Sequence, residues 1–181
     1  MKKNSIVQFV CFVTNLDLDE FIPKWDHYAK QFKVGSDGTI LQEAEGKYKY
    51  KYVSQHACRE ETMRFAVAKG RNSDHFGEQK AKVLQVGGYS VLQTGHTGND
   101  ENANVKIIAF IGHSETDIDF YRQLSHDSTL NIYEAYYESC AFGYILEYFT
   151  SESNEADLLQ QLRNRHGVDV AVYKECLVPQ S

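Results

Sequence analysis

The chain has 181 residues, a formal net charge of -6 and a 42% hydrophobic content, enough for a packed interior and a globular fold. That charge argues against nucleic acid as a partner, because phosphate-backbone affinity comes mainly from clustered Lys and Arg. Cys11, Cys58, Cys140 and Cys176 are widely spaced and form no C-x-x-C pair, so they read as reduced core thiols and not as a disulfide or zinc framework.

In chain order, Met1 to Ser5 lead into an apolar run too short to span a membrane and without a small-residue cleavage site. No membrane association is expected, and the default compartment is the cytoplasm. Ile6 to Thr14 is nearly continuous in β-branched and aromatic residues, as in a strand covered on both faces. Asn15 to Asp19 supplies turn and cap chemistry, after which Leu18, Phe21, Ile22, Trp25, Tyr28, Ala29 and Phe32 form one helical stripe. Pro23 is expected in or near the first turn, where a missing amide donor costs little.

Gly35 to Gly38 reads as a turn and Thr39 to Ala44 as a short strand. Lys47 to Val53 then alternates strictly, which predicts a strand with tyrosines 48, 50 and 52 on one face and lysines 47, 49 and 51 on the other. Residues 59–69 have helical spacing, residues 71–80 read as a second short helix or a loop, and 82–92 reads as a strand with a bulge or a close approach at Gly87-Gly88.

Residues 93–104 contain no large apolar side chain and read as a linker. Beyond it the pattern restarts: a strand at 105–111, two helices over 116–140 with a break near Ser125 to Ser128, and a strand at 142–150. A helix capped by Ser153 or Asn154 and ended by Gly167 follows, then a closing strand at 168–178. Moved along by 96 residues, Tyr48, Tyr50 and Tyr52 fall on Tyr144, Leu146 and Tyr148, an echo that suggests duplication. The expected architecture is α+β: two ferredoxin-like halves, 1–93 and 105–181, joined by residues 94–104 and packed sheet to sheet, each covering the other's exposed face.

The openings IVQFVCFVTNLDLDEFIPKWDHYAKQF and VKIIAFIGHSETDIDFYRQL, with the Y-x-[YL]-x-Y strands, resemble the dimeric α+β barrel superfamily. The likeness is to tandem members related to the antibiotic-biosynthesis monooxygenase domain. It implies two sheets closing into a pseudo-dimeric barrel and ligands held in clefts between helices and sheet. Some members degrade haem with a histidine on the second helical segment, a tryptophan ten residues before it and an asparagine on the first strand. His75 and Phe65 have that spacing here, but phenylalanine replaces the tryptophan and the first strand carries Gln8 and Cys11 with no asparagine until Asn15 at its end. No cofactor is therefore expected.

Lys47, Lys49 and Lys51 read either as a basic wall for an anion or as a solvated strand face; in a closed barrel they would look inward at Glu147. Trp25, Tyr28 and Tyr50, with Lys49 and Lys51, are the candidate ligand contacts, tyrosine offering an apolar body and a polar tip; packed core is the competing reading of the rings. The histidines form no close ligand pair, so no metal site is expected, and His75 and His113 are the candidate acid-base groups. The expected function is binding of a small organic ligand by a monomer or homodimer. The alternatives are a cofactor-independent, monooxygenase-like enzyme acting on an aromatic or polycyclic substrate, and a structural or interaction protein without a ligand.

Overall fold

A computed structural model of the chain describes residues 6–31, 38–58, 81–95, 105–115, 117–125 and 129–176, with the backbone alone described at 28–31, 58 and 81–86. The strands are β1 (Ile6–Thr14), β2 (Thr39–Glu43), β3 (Tyr52–Cys58), β4 (Ala81–Gln93), β5 (Val105–Ile111), β6 (Thr129–Ala135), β7 (Tyr144–Thr150) and β8 (Val168–Cys176). The helices among the described residues are α1 (Leu18–Gln31), α2 (Ile118–Gln123) and α3 (Glu152–Arg163).

The eight strands of the described residues join into one closed antiparallel barrel in the order β1-β3-β2-β8-β5-β7-β6-β4. Closure runs through the backbone: β2 pairs with β8 and β4 with β6, so no ladder edge is left open. Each strand alternates, sending one set of side chains inward and the other outward. Phe9, Leu41, Val53, Tyr89, Phe110, Tyr133, Ile145 and Tyr173, one from each strand, belong to a single buried cluster, which places that cluster inside the barrel. On the outer face, Ile107, Ala109, Ile132, Leu146 and Val170 pack against Tyr121 of α2 and Leu158, Leu159 and Leu162 of α3. Under α1, Phe21 stacks on Tyr52 and meets Phe12 edge-on.

Several sequence expectations are corrected. The lysine-tyrosine alternation is not a strand: residues 47–51 form an irregular connection with bends at 48, 49 and 51, and β3 begins only at Tyr52. Barrel closure sets that boundary, because β3 needs Tyr52 to Cys58 to match Phe12 to Ile6 across the ladder. The helix expected after Ser128 is β6 instead. Leu130 and Ile132 lie in the outer cluster and Tyr133 in the inner one, a period of two that the tyrosines at 133, 136 and 137 disguised. Pro23 lies a turn deeper in α1 than expected, since the helix starts at Leu18. Ser151, and not Ser153 or Asn154, occupies the N-cap position of α3. The irregularity between β1 and β4 falls between Cys11 and Phe12, opposite Leu84, while Gly87 is a close approach, with the Tyr89 ring 2.7 Å from where a Cβ would stand.

The β1–β3 ladder runs from Ile6 paired with Cys58 to Phe12 paired with Tyr52, and the β5–β7 ladder from Val105 paired with Thr150 to Ile111 paired with Tyr144. The two ladders have equal length. Laid on one another, Gln8 falls on Ile107, Ser54 on Leu146, Gln55 on Glu147 and His56 on Tyr148. The matching spacing from β3 to β7 is thus 92 residues, Cys58 to Thr150, and the 96-residue tyrosine echo is out of register.

Candidate functional site

The outer face of β1 and β3 differs from that of β5 and β7 in one row. Gln8 lies directly across from His56 on β3 and from Gly88 on β4. Their counterparts Ile107, Tyr148 and Val172 are buried and apolar or aromatic. Gly38, one residue before β2, extends the row where Leu130 stands in the other ladder. A Cβ at Gly38 would lie 2.0 Å from His56 Nδ1, so the imidazole occupies the space that a side chain there would need.

From α1, Trp25 lays its indole parallel to the His56 ring, with centroids 5.5 Å apart and an interplanar angle of 11°. Gln8 and Ser54 have no exposed surface, His56 is 2% exposed and Trp25 is 4% exposed. Among the described residues, both carboxamide atoms of Gln8, the Ser54 hydroxyl and the Trp25 indole nitrogen have no hydrogen-bond partner. Buried polar atoms are nearly always paired, and each one left unpaired costs about 1–3 kcal/mol. This row is a chemically distinctive place on the described surface of the barrel. The sequence signal was present in Gln8, Ser54 and His56, polar residues at every second position of strands that are otherwise apolar on that face.

Inside the barrel a second polar group is fully paired. Glu147, 2% exposed, accepts from Tyr133 Oη at 2.7 Å, from Asn131 Nδ2 at 3.3 Å and from the Gln55 side-chain amide, and lies 3.6 Å from Lys106 Nζ. The lysine facing Glu147 is therefore Lys106 of β5, and not the 47–51 row. Glu147 and Tyr133 both project inward, and burial followed by the nearby Glu147 charge pushes the Tyr133 phenol well above its ordinary range.

The sequence-predicted residues are dispersed. Trp25 reaches from α1 onto His56, whereas Tyr50 belongs to the barrel interior, where its carbonyl accepts from Tyr173 Oη at 3.0 Å. Lys49 is half-exposed, 3.4 Å from Asp169, with its ammonium 5.0 Å from the Tyr50 ring centre. Lys51 pairs with Asp17 at 3.6 Å. His113, two residues beyond β5, places Nε2 2.7 Å from the Cys140 carbonyl oxygen. Tyr28 lies on α1 with its side chain outside the described residues, and His75 and Phe65 lie outside them altogether. An open groove of about 610 Å³ runs along α3 and is lined by Glu45, Glu155, Leu159 and Arg163 among others. None of the predicted residues lines it. No group of acidic, histidine and cysteine side chains suited to a metal ion occurs among the described residues.

Comparison with solved structures matches the whole barrel. An anthrone oxidase-like protein aligns with a TM-score of 0.60 at 10% identity, covering 97% of this chain and 93% of the other. A mutant chlorite dismutase from Candidatus Nitrospira defluvii, in complex with cyanide, aligns with a TM-score of 0.56 at 7% identity, covering 98% and 93%. A heme-binding protein from Thermus thermophilus aligns at 0.52 and 7%, covering 96% and 92%. The chain has the dimeric α+β barrel fold. No protein-family model and no curated protein matches the sequence. At these identities the α+β barrel neighbours share architecture alone, so any role for this barrel rests on its own side chains. No helix among the described residues is long and apolar enough to cross a membrane.

Proposed function

We propose that the protein binds a small organic ligand between α1 and the outer face of β1 and β3, within a barrel made of two ferredoxin-like halves. The observation that carries the binding reading is the fully buried carboxamide of Gln8, which has no partner among the described residues, together with the equally unpartnered Ser54 hydroxyl and Trp25 indole N–H. The equivalent row in the other ladder, Ile107, Leu146, Tyr148 and Val172, is sealed by apolar and aromatic packing. Polar atoms at this place cost stability unless a bound molecule pairs them.

The two-half reading, residues 1–93 and 105–181 with 94–104 between them, draws support from the ring order, which repeats when started at β5 in place of β1. Matching backbone bonds also support it. Glu43 N donates to Lys51 O at 2.9 Å and Ala135 N to Gly143 O at 2.9 Å; Ala44 N donates to Val172 O and Tyr136 N to Gly88 O, also at 2.9 Å.

Catalysis on an aromatic or polycyclic molecule is the second reading, motivated by the shared fold with an anthrone oxidase-like protein. In it Trp25, Tyr28 and Tyr50 contact substrate, while His75 or His113 moves a proton. A cytoplasmic monomer or homodimer that takes no nucleic acid completes the proposal; Cys11, Cys140 and Cys176 are free thiols, in keeping with a reducing compartment.

Native mass spectrometry of protein taken directly from cells tests the binding reading and reports the assembly as well. Retention of a small molecule that is lost in a Gln8→Leu, Ser54→Ala double variant is the expected result. An empty wild-type protein that also shows no change in Trp25 emission with any aromatic or polycyclic compound offered would overturn it.

A further inference from the structure

We infer that the ligand is a neutral, planar heterocycle presenting an amide edge, an N–H beside a C=O as in a lactam or imide, to the side chain of Gln8. This rests on the binding reading above and specifies its chemistry.

The argument begins with what Gln8 offers. A carboxamide carries a donor nitrogen and an acceptor oxygen in one plane, and both atoms are buried and have no partner among the described residues. One group that answers both at once is a second amide-type edge with the opposite order of donor and acceptor. A carboxylate or phosphate, which only accepts, would leave Gln8 Oε1 unpaired. Gln8, Ser54 and Trp25 are all uncharged, so nothing from these three balances an anion or a cation out of water.

The surroundings select a flat shape. Trp25 and His56 are parallel to within 11°, which defines one plane for a ring packed along them. Gly88, beside Gln8 on β4, presents no side chain where the other ladder has Val172. The hydroxyl of Ser54, on the same outer face of β3 as His56, and the indole N–H of Trp25, stacked on His56, also have no partner among the described residues and add a donor-acceptor and a donor to this face.

The test uses the full chain and its single tryptophan, Trp25, as the reporter. The probes are 2-quinolinone, which has the lactam edge, and 1-methyl-2-quinolinone, which keeps the carbonyl and ring but has lost the N–H. We expect 2-quinolinone to change Trp25 emission saturably and the methylated compound to bind at least tenfold more weakly, since a site built for a hydrogen bond rejects the analogue lacking it. Gln8→Leu should abolish the discrimination while leaving the thermal midpoint unchanged or higher. Gln8→Met serves in its place should that variant fail to fold.

Equal affinity for the two probes, discrimination surviving loss of the carboxamide, or no binding of either probe would each overturn the ligand class. Retention of a chemically different molecule in native mass spectra would do the same, yet leave the binding reading standing. Failure of both tests removes the site itself.

Discussion

Lys106 Nζ and Glu147 Oε1 lie 3.6 Å apart inside the barrel, the lysine side chain 14% exposed and the glutamate 2%. The pair joins neighbouring strands β5 and β7, and Gln55 reaches the same carboxylate from β3. Removing one member of a buried ion pair leaves the other charge without compensation. Lys106→Met should therefore lower unfolding free energy by about 3 kcal/mol, measured by urea denaturation. Replacing both, as Lys106→Met with Glu147→Gln, should recover part of that loss; a single variant as stable as wild type would show that the hydrogen bonds of Tyr133, Asn131 and Gln55 hold the carboxylate unaided.

Gly38→Ala should be costly although the residue lies just outside a strand. Its new Cβ would lie 2.0 Å from Nδ1 and 2.1 Å from Cε1 of the buried His56 ring, on which Trp25 stacks. Overpacking of this kind typically costs about 1–3 kcal/mol. Thermal denaturation of Gly38→Ala, and of Gly38→Ala with His56→Ser, measures the effect; the second change should restore most of the lost midpoint.

Alkaline pH should unfold the protein cooperatively. Burial, then the neighbouring Cys176 and Asp17, push the Tyr52 phenol up to about 12, and burial likewise raises Tyr89, Tyr133, Tyr148 and Tyr173. Each raised phenol binds its proton more tightly folded than unfolded. Its contribution is therefore fully present below about pH 10, the unfolded value, and for Tyr52 is lost as pH rises from about 10 to about 12. Tyrosinate absorbance at 295 nm should rise together with loss of circular dichroism. A gradual rise in the still-folded protein would contradict this.

Haemin titrated into the purified protein should leave the Soret band where free haemin has it. The haem pattern that the resemblance implied is incomplete in the sequence, which has Phe65 in place of the tryptophan and Gln8 and Cys11 with no asparagine on the first strand. Gln8, Ser54 and Trp25 of the buried row carry no positive charge to receive haem carboxylates. A shifted, saturable Soret band would reverse this expectation and direct attention to His75.

The sequence by itself determined much of the element list. Ile6–Thr14, Val105–Ile111 and the α1 stripe were legible because hydrophobic periodicity is a local property, imposed wherever a strand or helix has one buried face. The same logic failed at Lys47 to Lys51, where perfect alternation stands in a connection, and at Thr129 to Ala135, where tyrosine spacing imitates a helix. Pairing decided those cases. Which residues begin a strand depends on the partner across the ladder, and β3 is cut to fit β1.

Only the tertiary structure could assign partners to charges and reveal which polar groups lack them. Glu147 was expected to face a lysine, yet the lysine is Lys106, since register and not composition decides which side chains meet inside a closed ring. Gln8, Ser54 and His56 are ordinary polar letters in the chain. They become a row under Trp25 because antiparallel pairing sets residues dozens of positions apart side by side, and burial removes the water that would otherwise satisfy Gln8 and Ser54.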